Sequence, residues 1–153
     1  MVDLMTFDPG WSTGWSAWEI NRRRIVLIAQ GTVEGGVEGF VGAGMWGCGG
    51  ARMVVYEDFI VEPSYVGRAW SSEVIGAIKA ARSVSPVSAQ LRSDKSTLFT
   101  QKHTGGKGET ERFAWLRERG FSGTPHELDA ITHALVYLKR QRNRAALKQY
   151  WGI

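Results

Sequence analysis

The sequence predicts an α/β domain whose mixed sheet combines an antiparallel meander with a parallel strand–helix–strand unit. Near the N-terminus, three strand-like segments are separated by short polar connections, as in a meander. Met53–Tyr56 is a continuously apolar run, typical of a strand buried on both faces, and a helical pattern and another strand follow it. With 153 residues, the chain fits one domain that covers residues 1–153.

The first three strands are predicted from the period of their side chains. Val2–Phe7 is the first strand, although Asp3 fits it poorly and is placed at its open end. Gly14–Ile20 alternates bulky with small or polar residues, which is the two-residue period of a strand. Ile25–Val33 is rich in β-branched residues. The glycine-rich segment Gly31–Gly50 is the hardest to interpret and is predicted to hold a short helix.

Helices and one more strand are predicted in the second half of the chain. Ser71–Val84 carries apolar residues at helical spacing, and a proline follows it. Pro86–Leu91 is the strand that completes the crossover, and Glu109–Glu118 is a further helix. The last helix has the clearest start, because Thr124–Glu127 matches a capping box with Pro at the first helical position.

Composition limits the classes of function. No apolar segment reaches the ~18 residues that a membrane span requires, so we expect no membrane association. Asp3 stands where a signal peptide would carry Lys or Arg. The single cysteine, Cys48, excludes an internal disulfide and a cysteine-based zinc site. These features predict a cytoplasmic protein.

Positive charge is concentrated in two segments of the chain, whose net charge is +4. Six Lys or Arg residues and one acid lie between Lys79 and Lys107, and five basic residues without an acid follow from Lys139. Such segments favour a polyanionic ligand, such as nucleic acid. The alternative is that the C-terminal basic residues form a solvated helix face, and charge alone gives the two interpretations equal weight.

Acidic side chains stand at three element ends. Asp8 closes the first strand at a Pro-Gly turn, and Glu57 follows the buried strand. If these strands are neighbours, the two carboxylates lie side by side, and the last helix can bring Asp129 and His126 to them from one face. Clustered carboxylates raise one another's pKa, and a divalent cation relieves this repulsion. Oxygen ligands suit Mg²⁺ or Mn²⁺, and two such ions about 4 Å apart can clamp a phosphodiester.

These residues also have structural interpretations. Asp8 can be a turn-forming residue, and Asp129 can lie on a polar helix face. At the end of the buried strand, Asp58 is a solvated alternative to Glu57. Glu127 competes as a carboxylate, but the capping box favours a capping role for it. His133 is expected on the polar face of the last helix, opposite its leucine stripe, and to pack beside the site.

Three motifs stand in an order that characterises a known family. They are Asp8-Pro-Gly with Thr13-Gly14-Trp15, Val55-Tyr56-Glu57, and His126 to Ala134. In these motifs, the chain resembles the RuvC-type Holliday junction resolvases of the RNase H-like superfamily, most of all the compact versions found in phages. The resemblance covers nearly the whole chain in element order. It implies an RNase H-like fold, with a mixed five-stranded sheet flanked by helices.

The resemblance also implies a set of metal ligands. By motif position, the catalytic residues that hold two Mg²⁺ ions, which Mn²⁺ can replace, are Asp8, Glu57, His126 and Asp129. Many relatives carry Asp where this chain has His126, and some carry His. An imidazole can ligate a metal or assist proton transfer, so the role of His126 stays open.

The implied substrate is branched DNA, above all a four-way junction, which a homodimer would cut by paired nicks. The residues that we expect to contact DNA are Lys95, Lys102, Lys107, Phe59, Tyr65 and Arg68. Lys95 is the first choice among the lysines because it follows a predicted strand. Core packing is an equally weighted alternative for Phe59. The helix from Arg68 to Val84 is the expected dimer surface.

Three other functions stay open on the sequence alone. The same fold can serve a broader nuclease that acts on flaps, replication forks or RNA–DNA hybrids. An actin-like ATP-binding fold also begins with a strand, an acid and a Gly/Ser/Thr turn, but 153 residues hold only one of its two lobes. A junction-binding protein that lacks catalysis is disfavoured by the complete set of acids.

Overall fold

Five strands form one mixed sheet in the order β3-β2-β1-β4-β5. They are β1 (Leu4–Asp8), β2 (Ser12–Ile20), β3 (Ile25–Glu34), β4 (Met53–Glu57) and β5 (Val87–Gln90). β1 to β3 pair antiparallel, and β4 pairs parallel with both β1 and β5. The computed structural model describes residues 1–45, 50–59, 65, 67–82, 86–99 and 108–153. The predicted combination of a meander and parallel strands is confirmed.

Helices lie on both sides of this sheet. They are α1 (Gly36–Gly42), α2 (Trp70–Ala81), a 3₁₀ helix (Arg92–Leu98), α3 (Gly108–Glu118), α4 (Pro125–Arg140), α5 (Arg144–Ala146) and a π-helical segment (Leu147–Trp151). The short helix predicted in the glycine-rich segment is α1. α2 ends at Ala81, and the predicted end at Val84 lies outside the described residues. No helix in the described part of the chain could span a membrane.

Two apolar cores cover the two faces of the sheet. On one face, Phe7 and Val54 pack with Phe40 of α1 and Ile78 of α2. On the other face, Val55 belongs to a core formed with α4 and the C-terminal segment. Because successive residues of β4 contribute to opposite cores, this strand is buried on both faces, as its apolar run predicts.

The start of α4 is anchored closely to β1 and β2. The Thr6 hydroxyl donates a hydrogen bond of 2.6 Å to the backbone oxygen of Ala130. A Cβ on Gly14 would collide with the backbone carbonyl of His126, so only glycine permits this approach. The capping box of α4 is confirmed, since the Thr124 N–H donates to the Glu127 carboxylate and the Thr124 hydroxyl accepts from the Glu127 N–H.

The middle of α4 is more enclosed than its leucine stripe alone predicts. The side chain of His133, which is predicted opposite that stripe, is fully buried. The reason is that α4 packs on the sheet and also contacts the 3₁₀ helix, so little of its middle faces solvent. The polar residues on this side of α4 therefore point into an enclosed site.

The C-terminal basic segment is partly structural. Lys139 donates hydrogen bonds to the backbone oxygens of Thr97 and Phe99, at 2.6 and 2.9 Å, and Trp151 Nε1 donates to that of Leu98 at 2.7 Å. Arg140 also pairs with Asp94 at 2.8 Å. Lys139 and Arg140 therefore hold the 3₁₀ helix against α4, so the C-terminal basic segment does not form a fully solvated face.

Candidate metal centre

Asp8 and Glu57 occupy equivalent places on neighbouring parallel strands. Phe7 of β1 is in register with Tyr56 of β4, so the carboxylates that follow them stand at the same edge of the sheet. Asp129, from the second turn of α4, approaches the same edge. Burial raises the pKa of Asp8, and the negative charges of Glu57 and Asp129 raise it further. The structure thus brings together three acids from the start, middle and end of the chain.

Lys95 bridges two of these acids. Its Nζ lies 2.7 Å from Oε2 of Glu57 and 3.1 Å from Oδ2 of Asp129, and its side chain is only 6% exposed. The 3₁₀ helix that carries Lys95 was not predicted from the sequence. Lys95 was expected among the DNA contacts, and the structure places its ammonium group inside the acid cluster instead of on the open surface.

Arg112 of α3 supplies a second positive charge. Its Nη2 lies 2.8 Å from Oδ1 of Asp129, so each oxygen of that carboxylate has a cationic partner. Sequence reasoning missed Arg112, because nothing distinguishes it from the other charged residues of a predicted helix. Only the packing of α3 beside α4 brings it to the site.

His133 holds the carboxylate of Glu57, and Gln90 holds His133. Nε2 of His133 lies 2.7 Å from Oε2 of Glu57, and Nδ1 lies 2.8 Å from Oε1 of Gln90. The Gln90 amide nitrogen also donates to the backbone oxygen of His133 at 3.2 Å. Such outer partners fix the direction of a metal-ligating group. His133 therefore lies beside the site, as expected, although it is buried.

The pKa of Glu57 is shifted in the direction opposite to that of Asp8. Burial would raise the pKa of Glu57, but the hydrogen bonds from His133 and Lys95 outweigh it and lower the pKa to about 2. Glu57 is therefore ionised at any physiological pH, whereas ionised Asp8 is costly. The surroundings of these two neighbouring carboxylates therefore shift their pKa values in opposite directions.

His126 stands at the open side of the cluster. Its Nδ1 lies 3.1 Å from Oδ2 of Asp8, and its side chain is about half exposed. Glu127 points away toward its capping partner Thr124 and toward Gln30. The structure therefore assigns Glu127 to capping the helix and leaves His126 as the side chain of this turn that contacts Asp8.

The donor set fits a divalent cation with oxygen ligands. Asp8, Glu57 and Asp129 carry three negative charges when ionised, and Lys95 and Arg112 supply two positive charges in direct contact with them. Within the described residues, no group of three or more His, Cys, Asp or Glu side chains is arranged so that it could hold a metal ion without rearrangement. Lys95 instead holds two of the acids, and burial, together with the charges of Glu57 and Asp129, raises the pKa of Asp8. A hard cation beside Asp8 would offset those negative charges.

Of the other predicted contacts, Phe59, Tyr65 and Arg68 lie among the described residues. Phe59 is 37% exposed, so its core-packing alternative is wrong, and its ring contacts that of Tyr65 with centroids 6.1 Å apart. Phe59 lines an open cavity of about 340 Å³ that also includes Glu57 and Arg92. Arg68 forms ion pairs with Glu38 and Glu73. Lys102, Lys107 and Cys48 lie outside the described residues.

The sheet order and the flanking helices define an RNase H-like fold. Among solved structures, the chain is similar to RuvC from Thermus thermophilus, with a TM-score of 0.64, 15% identity and coverage of 94% of this chain and 98% of that one. It is equally similar to T. thermophilus RuvC in complex with a Holliday junction substrate, with a TM-score of 0.64, 14% identity and coverage of 95% and 98%. No protein-family model and no curated protein sequence matches the chain. The chain has the fold of RuvC along nearly its whole length.

Proposed function

We propose that this protein is a metal-dependent endonuclease that resolves four-way DNA junctions. The observation that carries the proposal is the meeting of Asp8, Glu57 and Asp129 at one sheet edge, in the fold of a protein that holds a Holliday junction substrate. Clustered acids with a cation deficit suit Mg²⁺, or Mn²⁺ in its place. The basic segments of the chain suit the polyanionic backbone of DNA.

The side chains of the cluster have distinct roles in this proposal. Two divalent ions, when bound, would supply Lewis-acid activation of water and stabilise the leaving oxygen of a phosphodiester. Asp8, Glu57 and Asp129 would hold them, while His133 and Gln90 keep Glu57 in one orientation. His126 contacts Asp8 from the open side, where it can add a ligand or move a proton at Nδ1.

Lys95 would act in two ways. Without cations, it neutralises Glu57 and Asp129 and so stabilises the folded acid cluster. When cations take over that neutralisation, its ammonium group is free to pair with a phosphate oxygen of the DNA. This keeps Lys95 as a DNA contact, while Lys102, Lys107, Phe59, Tyr65 and Arg68 stay proposed contacts at the periphery.

A homodimer is proposed because paired nicks across a two-fold substrate need two copies of the site. α2 is the proposed dimer surface. Its outer face exposes Gly76, Lys79 and Ala80, and Gly76 has open space where a side chain would stand. Small residues of this kind let a second helix approach closely.

We expect the purified protein, with Mg²⁺, to cut a synthetic four-way junction by symmetrically placed nicks. The rate should exceed that on a replication fork or an RNA–DNA hybrid of the same sequence by at least about tenfold, the factor that ~1.4 kcal/mol of preferential binding supplies. Single-turnover rates on the three substrates measure this. Equal rates would favour the broader nuclease, and tight ATP binding without cleavage would favour the actin-like alternative.

A further inference from the structure

Exposed apolar side chains are concentrated at the sheet edge that carries the acids. Trp11, Phe59 and Leu91 follow the ends of β1, β4 and β5 by three, two and one residues, and they are 50%, 37% and 46% exposed. Exposed apolar side chains that gather at one place mark interaction sites more than single ones do. Trp11 is the most exposed of the three and stands closest along the chain to Asp8.

The turn that presents Trp11 is fastened on two sides. The Ser71 hydroxyl donates a hydrogen bond of 2.7 Å to the backbone oxygen of Pro9, and the Gly36 N–H donates one of 2.9 Å to that of Trp11. The Trp11 ring also meets the Trp70 ring in an edge-to-face contact, with centroids 4.8 Å apart. The indole is therefore held in place before any ligand arrives.

Trp70 has a second partner in Arg68. The guanidinium group of Arg68 lies 3.9 Å from the Trp70 ring centroid and is held there by ion pairs with Glu38 and Glu73. Trp11 and Arg68 thus both contact Trp70, and Trp11 is the half-exposed member of the aromatic pair. Because the charge of Arg68 is balanced by two acids, the group that this cluster offers to a ligand is the indole of Trp11.

We infer that Trp11 is a stacking site for an unpaired nucleobase beside the phosphate that is cut. This deepens the proposed function and rests on it. Every base has a flat π-face that can stack on an aromatic side chain, but in an intact duplex that face is covered by neighbouring bases. The centre of a branched DNA offers bases that can leave the stack. A prearranged indole three residues from Asp8 would therefore favour branched DNA over paired DNA.

The test compares two variants of Trp11 with a matched control. Trp11→Ala should weaken binding to a four-way junction by about 5- to 150-fold, as base–aromatic stacking predicts, and leave binding to a fully paired duplex nearly unchanged. Trp11→Phe should keep most of the junction affinity. Ile28→Ala removes an exposed apolar side chain from the edge strand β3 and should change neither. Fluorescence anisotropy with Ca²⁺ in place of Mg²⁺ gives the affinities.

A junction with 2-aminopurine at the branch point reports the stacking itself. The wild-type protein should change its fluorescence, and Trp11→Ala should not. The inference is overturned if Trp11→Ala binds the junction as tightly as wild type, or weakens junction and duplex equally. It is also overturned if Trp11→Ala changes the oligomeric state, since the indole would then contact a second copy. If the wild-type protein neither binds nor cuts the junction, the proposed function fails, which is a different outcome.

Discussion

Asp8→Asn is expected to abolish Mg²⁺-dependent cleavage and, at the same time, to raise the melting temperature of the metal-free protein. Cleavage should fall by about 10³-fold, because a lost metal ligand removes several kcal/mol of transition-state stabilisation. Stability should rise because the Asp8 carboxylate is buried beside Glu57 and Asp129, which disfavour its charge. Asn keeps the size of the side chain and a polar partner for His126, but it carries no charge.

The pH dependence of this effect has a definite sign. The pKa of Asp8 is raised above its usual 3.8, so the folded protein binds this proton more readily than the unfolded chain does. Ionised Asp8 therefore lowers stability, and its cost appears as pH rises from 3.8 through the raised pKa. Relative to wild type, the melting temperature of Asp8→Asn should increase over this window and then stay constant toward neutral pH.

Thermal denaturation between acid and neutral pH in the presence of a chelator measures this difference, and the junction assay measures activity. Glu118→Gln is the control, because this acid is exposed on α3 and should affect neither quantity. Retention of full cleavage by Asp8→Asn would contradict the metal-ligand role. A lower melting temperature would contradict the electrostatic account of the site.

Glu57→Gln is expected to abolish cleavage as well, but to destabilise the protein by about 3 kcal/mol. Breaking a buried ion pair by removing one partner leaves an uncompensated group, which is the source of this cost. The groups left behind are Lys95 and His133, both buried. Because their hydrogen bonds lower the pKa of Glu57 from 4.5 to about 2, its stabilising effect is complete above 4.5 and is lost as pH falls toward 2.

Urea denaturation of wild type and Glu57→Gln at neutral pH and near pH 2.5 measures this contribution. The difference should be large at neutral pH and small in acid. The double variant Glu57→Gln with Lys95→Met should recover part of the loss, because it removes a buried ammonium group that has lost one of its two acidic partners and keeps only Asp129. Unchanged stability in Glu57→Gln, or no recovery in the double variant, would contradict the pairing of Glu57 with Lys95.

Asp8 and Glu57 are thus expected to share a catalytic role but to differ in their effect on stability. Both end neighbouring strands and are expected to hold metal, yet Asp8 destabilises the metal-free fold and Glu57 stabilises it. The difference comes from their partners within the described part of the chain: Glu57 has Lys95 and His133 in direct contact, whereas Asp8 contacts the half-exposed ring of His126. Functional sites commonly concentrate like charge at such a cost.

Local sequence patterns were sufficient for most of the fold. The meander, the buried β4, the crossover through α2 and the capped start of α4 each have a signal in consecutive residues. Those signals also placed the acids, because an acid at the end of a buried strand lies at the edge of the sheet. The meeting of the acids then depended on one condition, that β1 and β4 are neighbours. The structure confirms this condition, because the two strands pair in parallel.

The surroundings of the acids could not be predicted in the same way. The 3₁₀ helix that carries Lys95 has no periodic pattern, and Arg112 and Gln90 reach the site only through the packing of elements distant in sequence. The burial of His133 depends on the elements that pack against α4, and the leucine stripe of this helix does not predict them. A polar residue such as Gln90 at the end of a strand beside β4 was the one available signal.

We expect Asp8, Glu57 and Asp129 together to hold the divalent cations. The most direct measurement replaces Mg²⁺ with Fe²⁺ and uses ascorbate and peroxide to cut the polypeptide next to the bound ion. The fragments should end near all three residues, disappear with excess Mg²⁺ and be absent from Asp8→Asn. Cuts at other places, or cuts that Mg²⁺ does not suppress, would contradict this expectation.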